Sequence, residues 1–120
     1  MRDKALENLN AANRLLGDTP LPNAAATRAY YAAYHACWCA LEAQGYPVPN
    51  RDGKIYWPHN TFADETLRLG LLDEDDSEVL ANLYSARILA DYFPDTLSTE
   101  QARELAVDAT HIFHRVLGNG

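Results

Sequence analysis

Apolar residues recur along the chain at helical spacing, and short polar or glycine-proline stretches separate the runs. The stretch from Asp3 to Leu16 carries Leu6, Leu9, Ala12 and Leu16 on one face, and Gly17 ends it. Asp18-Thr19-Pro20-Leu21-Pro22 reads as a linker. Asn23 is placed to cap a second helix reaching about Gln44, with Gly45 just beyond. Three prolines make Tyr46 to Pro58 irregular, and Asp52-Gly53 is a turn signal that allows a small hairpin there. Thr61-Phe62-Ala63-Asp64 resembles a capping box opening a third helix that ends near Gly70. Asp75-Asp76-Ser77 would cap a fourth helix to about Tyr92, where Pro94 blocks continuation. Ser98-Thr99-Glu100-Gln101 is a capping box for a fifth helix to about Leu117, followed by Gly118. The pattern predicts an all-α fold. It is a four- to five-helix up-and-down bundle with a proline-rich loop or small hairpin between helices 2 and 3, formed by residues 1–120 as a single domain.

The second helix departs from simple amphipathicity. It is apolar almost all round, as a central helix is, and no acidic residue lies between Asp18 and Glu42. Yet Arg28, His35 and Glu42 recur every seven residues. At 100° per residue they fall within about 40° of one another, with Tyr31 and Trp38 alongside. An arginine and a histidine on a mostly buried helix need partners or a cleft. Two readings stand: a set of structural hydrogen bonds, or a cleft or subunit interface with a titratable imidazole. The fourth helix poses the same choice. Arg87 shares an apolar face with Leu80, Leu83 and Tyr84, and Asp91 follows one turn on. This is either a partly buried ion pair or an arginine aimed at an anion.

The other chemistry-bearing residues change the picture less. On the fifth helix Leu105, Ala109, Ile112 and Val116 form the core stripe. His111 and His114 lie opposite and could share a metal with Asp108, but solvated or interface histidines are the simpler reading. Cys37 and Cys39 point about 200° apart and read as small apolar side chains. His59 follows Trp57-Pro58 as a loop, capping or cleft residue. Tyr46, Tyr56 and Trp57 either pack over the bundle or stack a base. The acidic run Asp73-Glu74-Asp75-Asp76 lacks the spacing of a calcium loop and suits a helix N-terminus. No phosphate-loop, dinucleotide, zinc-protease or serine-hydrolase motif is present, and no metal or cofactor is called for.

The formal net charge of −7 argues against a broad nucleic-acid-binding surface. The charge is uneven: residues 1–60 carry a net +1 and residues 61–120 a net −8. A local site on the second helix is therefore not excluded. No apolar run is long enough for a membrane span, and the N-terminus lacks a signal-peptide pattern, so a cytoplasmic protein is expected.

Thr27-Arg28-Ala29-Tyr30-Tyr31-Ala32-Ala33-Tyr34-His35-Ala36 resembles the second-helix signature of small prokaryotic HEPN-domain proteins, R-A-Y-Y-A, two residues, then histidine. Leu83 to Tyr92, with Arg87, three residues and Asp91-Tyr92, resembles their fourth-helix pattern. His59 with Phe62, and the capped start of the fifth helix, match in placement. The resemblance spans nearly the whole chain. It implies a dimerising bundle from toxin–antitoxin or defence systems. Many such proteins are metal-independent ribonucleases, with an arginine and a histidine in the form R-x(4–6)-H converging from two protomers. It also implies a nucleotidyltransferase as antitoxin or partner. In the studied nucleases the motif lies late in the bundle. Here no histidine follows between Arg87 and Pro94, and the match is Arg28 to His35. The resemblance thus implies catalytic roles for Arg28 and His35 with Tyr31 lining the cleft, and binding roles for Arg87, Asp91, His59 and Tyr92. A second reading is a non-catalytic module that binds nucleotide or pairs with the nucleotidyltransferase, with Tyr92 as a modification target. A third is a structural adaptor in which Arg87–Asp91 only fixes the fold.

Overall fold

The computed structural model describes residues 1–93 and 96–118. Among these the helices are α1 (Arg2–Arg14), α2 (Pro22–Ala43), α3 (His59–Arg68), α4 (Glu74–Tyr92) and α5 (Thr99–Leu117). A two-stranded hairpin, β1 (Asn50–Arg51) and β2 (Lys54–Ile55), lies between α2 and α3. Its strands pair antiparallel, Asn50 with Ile55 and Arg51 with Lys54. Asp52 and Gly53 form the turn with φ of 54° and 82°, the double positive φ that matches the twist of a two-residue hairpin. The chain is thus an all-α bundle with one small hairpin at the expected place.

The 22-residue α2 is the axis of the bundle and packs against α1, α4, α5 and α3. Its alanines at 25, 26, 29, 32, 33, 36 and 40 are buried, and their small side chains let neighbouring helices approach closely. Larger side chains from the partners fill the space between: Phe62 of α3, Leu80 and Leu83 of α4, Ile112 of α5, and Leu72 from the α3–α4 turn. Burying each such side chain is worth about 1.5–3 kcal/mol. No described helix is long and apolar enough to cross a membrane.

The helix starts differ from the sequence expectation in three places. Asn23 does not cap α2; the helix begins at Pro22, whose fixed φ suits the first turn. The Asn23 side chain instead donates to the Ala90 and Phe93 carbonyls and accepts from Leu97 N–H, tying α2 to the α4–α5 connection. Pro94, within that connection, lies outside the described residues. In α3 the box at Thr61 does not form. The helix starts at His59, with Pro58 as N-cap and no side-chain cap. The buried Phe62 and the stacking of His59 on α4 hold that turn in place of a cap. In α4 the cap is Asp73 rather than Asp75–Ser77. Asp76 N–H donates to Asp73 Oδ1 at 2.8 Å, and Asp73 N–H donates to Asp76 Oδ2 at 3.3 Å. The acidic run therefore does serve a helix N-terminus. On α5 Ser98 and Gln101 form the expected reciprocal box.

On α1 the buried face is Ala5, Asn8, Leu9 and Ala12, while Leu6 is exposed. Leu9, Ala12 and Leu16 are buried as the pattern predicts; Ala5 and Asn8 take the place expected for Leu6. At the end of α2, Gly45 has φ +86°, and Gly45 N–H and Tyr46 N–H donate to the Glu42 and Leu41 carbonyls. This is the left-handed closure that glycine makes without penalty. A Cβ at Gly45 meets nothing within 4 Å, so any cost is in the backbone alone. Gly45→Ala is expected to lower stability by about 1 kcal/mol, read as an earlier midpoint in urea with an unchanged slope.

Candidate functional site

Two clefts flank the same stretch of α2. The smaller, about 360 Å³, is lined by Lys4 and Asn8 of α1 and by Arg28, Tyr31, Tyr34 and His35 of α2. The structure therefore brings Arg28, Tyr31 and His35 together. Arg28 Nη1 donates to Asn8 Oδ1 at 3.0 Å, and the guanidinium lies 5.4 Å from the Tyr31 ring centroid. Asn8 is itself buried and donates to the Lys4 carbonyl. Arg28 is held by a neutral amide and a ring, without a carboxylate partner among the described residues. Its charge is left for something else.

His35 is 7% exposed. Its Nδ1 lies 2.8 Å from the Tyr31 carbonyl, which can only accept, so Nδ1 carries the proton and Nε2 is the acceptor. Burial pushes the imidazole below its ordinary pKa of 6.5. The Tyr31 carbonyl pulls it back, while Lys4, the N-terminus and Arg28 add to the lowering. His35 is therefore a neutral imidazole at pH 7, with its basic nitrogen fixed by the backbone. Trp38 stacks on its ring at 6.2 Å and donates to Glu42 Oε1 at 3.1 Å. Glu42, the third member of the seven-residue line, is thus occupied by Trp38.

The second cleft, about 420 Å³, is walled by rings from α2, the hairpin exit, α3 and α4. Tyr31 and Tyr34 line both clefts. Arg87 is the centre of the second. Its guanidinium sits 5.4 to 5.7 Å from the ring centroids of Tyr30, Tyr84 and Tyr31. Arg87 Nη1 donates to Asp91 Oδ2 at 3.0 Å and to Tyr31 Oη at 3.3 Å. Asp91 also accepts from Thr27 Oγ1 at 2.7 Å. Arg87–Asp91 is thus a half-buried ion pair woven into a tyrosine cluster. His59 stacks on Tyr84 with centroids 3.9 Å apart and meets Tyr30 Oη through Nδ1 at 3.1 Å. Burial, helped by the Arg87 charge, keeps His59 neutral at pH 7.

Tyr92 is not brought to either cleft; it is 71% exposed at the end of α4. His111 and His114 form no metal-holding group with Asp108. His111 Nε2 pairs with Asp76 Oδ1 at 2.7 Å, and His114 Nδ1 bonds the Gly118 carbonyl. Cys37 is buried, Cys39 partly so, and both are free. A larger depression of about 610 Å³ runs between side chains of α1 alone, Asp3, Glu7 and Arg14 among them, and carries no convergent chemistry. Sequence reasoning passed over Asn8, Lys4 and Tyr84 as site residues. Asn8 had a visible signal, being the polar member of an otherwise apolar 5-8-9-12 stripe. Lys4 had none.

The HEPN domain family model matches residues 1–119 of the chain. Over 112 residues the chain is 29% identical to MJ0605 of Methanocaldococcus jannaschii, a protein described as a candidate toxin; the match covers 93% of this chain and 80% of that protein.

Proposed function

The chain belongs to the HEPN-domain family, and from that premise we propose that it is a toxin-type endoribonuclease that cleaves RNA without metal, as a homodimer. One observation carries this reading. Among the described residues Arg28 has no carboxylate partner and His35, a neutral imidazole, has no partner on Nε2, and the two line one cleft. In that arrangement His35 Nε2 takes the proton of the RNA 2′-hydroxyl as O2′ attacks phosphorus. The P–O5′ bond breaks, leaving a 2′,3′-cyclic phosphate; O5′ takes a proton from solvent, and the His35 imidazolium just formed returns its proton to solvent. Arg28 and Lys4 stabilise the charge that gathers on the phosphoryl oxygens. Tyr31 fixes both residues, the arginine by its ring and the histidine by its carbonyl.

The test is cleavage of a labelled RNA in the presence of a chelator. Wild type is expected to cut and leave cyclic phosphate ends, and His35→Ala to lose activity by at least about 100-fold. No cutting by wild type, or equal cutting by the variant, overturns the assignment.

The depth of His35 and the absence of a histidine in the seven residues after Arg87 favour a second reading, a non-catalytic module that binds nucleotide or pairs with a nucleotidyltransferase-type antitoxin. In that reading the exposed Tyr92 is the modification target. Stable co-purification with an adjacent nucleotidyltransferase, together with no RNA cleavage, is the result that would establish it.

A further inference from the structure

The cleft around Arg87 contains two donors that the fold leaves unanswered. Trp57 Nε1 and Arg87 Nε are both buried and have no hydrogen-bond partner. Leaving a buried donor unpaired is costly and uncommon, so two at one place call for an explanation. Both residues line the same cleft of about 420 Å³. Several other polar groups of the cleft are matched. Tyr34 Oη accepts the Trp57 backbone N–H at 2.9 Å, Tyr30 Oη meets His59, and the Arg87 Nη1 donates to Tyr31 and Asp91. The two buried donors each lack an acceptor, one for an indole and one for a guanidinium edge. The rest of the wall is aromatic, including Tyr84, Trp38 and, at 47% exposure, Tyr56. A flat ring with acceptor atoms on its edge fits both the aromatic wall and the donors, whereas a ligand without acceptors, a hydrocarbon or an ammonium, would leave both donors unpaired. The volume is in the range of a small-molecule pocket. Tyr31 and Tyr34 line this cleft on one side and the Arg28–His35 cleft on the other.

We propose that this aromatic cleft is a base-reading subsite. It seats one nucleobase, with an acceptor on Trp57 Nε1 and a second acceptor of the same nucleotide on Arg87 Nε, beside the phosphate that Arg28 and His35 act on. Cleavage then depends on the identity of that base. The inference rests on the ribonuclease reading for its strand context, but the cleft's own chemistry does not. It calls for a nucleoside phosphate, either within a strand or free.

Both tryptophans of the chain, Trp38 and Trp57, line the cleft, so intrinsic fluorescence reports on its occupancy. The experiment titrates the full chain with 2′-O-methyl tetranucleotides, which cannot be cut, and separately with the four nucleoside 5′-monophosphates. Saturable quenching by the tetranucleotides is expected, strongest for one base and tighter than by any monophosphate. Tyr84→Ala should weaken it about tenfold. Trp57→Phe keeps a ring but loses the donor. It should weaken binding about three- to tenfold and flatten the base preference, with a melting temperature near wild type. Monophosphates binding as tightly as the strands overturn the strand placement. No saturable quenching, or quenching that neither ring variant alters, overturns the subsite whatever the cleavage assay gives. Base-selective quenching without cleavage by wild type removes the ribonuclease reading and supports the subsite.

Discussion

Replacing Asp76 with alanine is expected to destabilise the bundle by about 3 kcal/mol, a fall in Tm of about 10 °C. The Asp76 side chain is 6% exposed and serves two elements at once. On α4 it completes the capping box with Asp73. Toward α5 it accepts from His111 Nε2 at 2.7 Å and from Arg115 Nε at 3.0 Å. Arg115 also reaches Asp73 at 3.0 Å. Truncation removes the cap and strands both donors, although His111 and Arg115 are half exposed and regain water. Asp76→Asn retains an acceptor but loses the charge and should cost about half as much. Asp75→Ala, an exposed neighbour in the same acidic run, should cost under about 1 kcal/mol. Thermal melts of the three variants against wild type check the ranking.

The pH dependence of this lock has a definite sign. Burial would raise the Asp76 carboxyl, but the bonds from His111 and the Asp73 N–H and the Arg115 charge outweigh it and hold the pKa below its ordinary 3.8. A depressed folded pKa gives stability that is present above 3.8 and lost as pH falls through the folded value. His35 and His59, both held below 6.5, contribute stability above pH 6.5 that weakens as the pH falls toward their folded values. Wild type should thus lose stability in two steps on acidification, and Asp76→Ala should lack the lower one.

The bundle was legible in the chain because α1, α3 and α5 carry an apolar face at helical spacing, α2 is apolar almost all round, and the helices are separated by visible stops. Gly45, Gly70 and Gly118 lie just past helix ends with positive φ. What failed was the choice among competing caps. Asn23, Thr61 and Asp75 all have the right chemistry for an N-terminus, yet none caps its helix; local competitors (Pro22, Pro58, Asp73) take the starts, and contacts distant in sequence claim or seat neighbouring side chains. Asn23 is claimed by α4 carbonyls, α3 is seated by His59 on Tyr84, and Asp76 is claimed by α5. The site was half legible for the same reason. Arg28 and His35 could be paired from their spacing on one helix. That Arg87 and His59 meet the other side of Tyr31 and Tyr34 depends on how α3 and α4 pack on α2, which no local period encodes. The two unpaired donors of that second cleft were invisible for a further reason. A tryptophan or arginine reveals whether its N–H is satisfied only in three dimensions.

Arg28→Ala is expected to lower kcat/KM for RNA cleavage by about 10²–10³-fold and to move the acid limb of the pH–rate profile upward. The two effects have separate origins in one side chain. The first is the loss of a cation that no described carboxylate offsets, in contrast with Arg87, Arg68 and Arg115, each of which pairs with an acid. The second follows from the Arg28 charge lying close enough to His35 to help hold its pKa down. In wild type the base form of His35 persists until the pH falls below its depressed value, so activity should hold through neutrality and fail only below pH 6.5. Without Arg28 the imidazole protonates at a higher pH and the limb shifts toward neutrality. Arg28→Lys separates the two: it keeps the charge, and with it the limb, but gives up the two-pronged grip on phosphate. Its rate should fall between wild type and Arg28→Ala with little change in the limb. Asn8→Ala removes the 3.0 Å acceptor that orients the guanidinium. It should therefore raise KM or lower kcat modestly without moving the limb at all. Rate–pH profiles of the three variants under single-turnover conditions distinguish these outcomes. A limb that moves to lower pH in Arg28→Ala would show that the titrating group is not His35, since loss of a nearby cation can only raise the imidazole pKa.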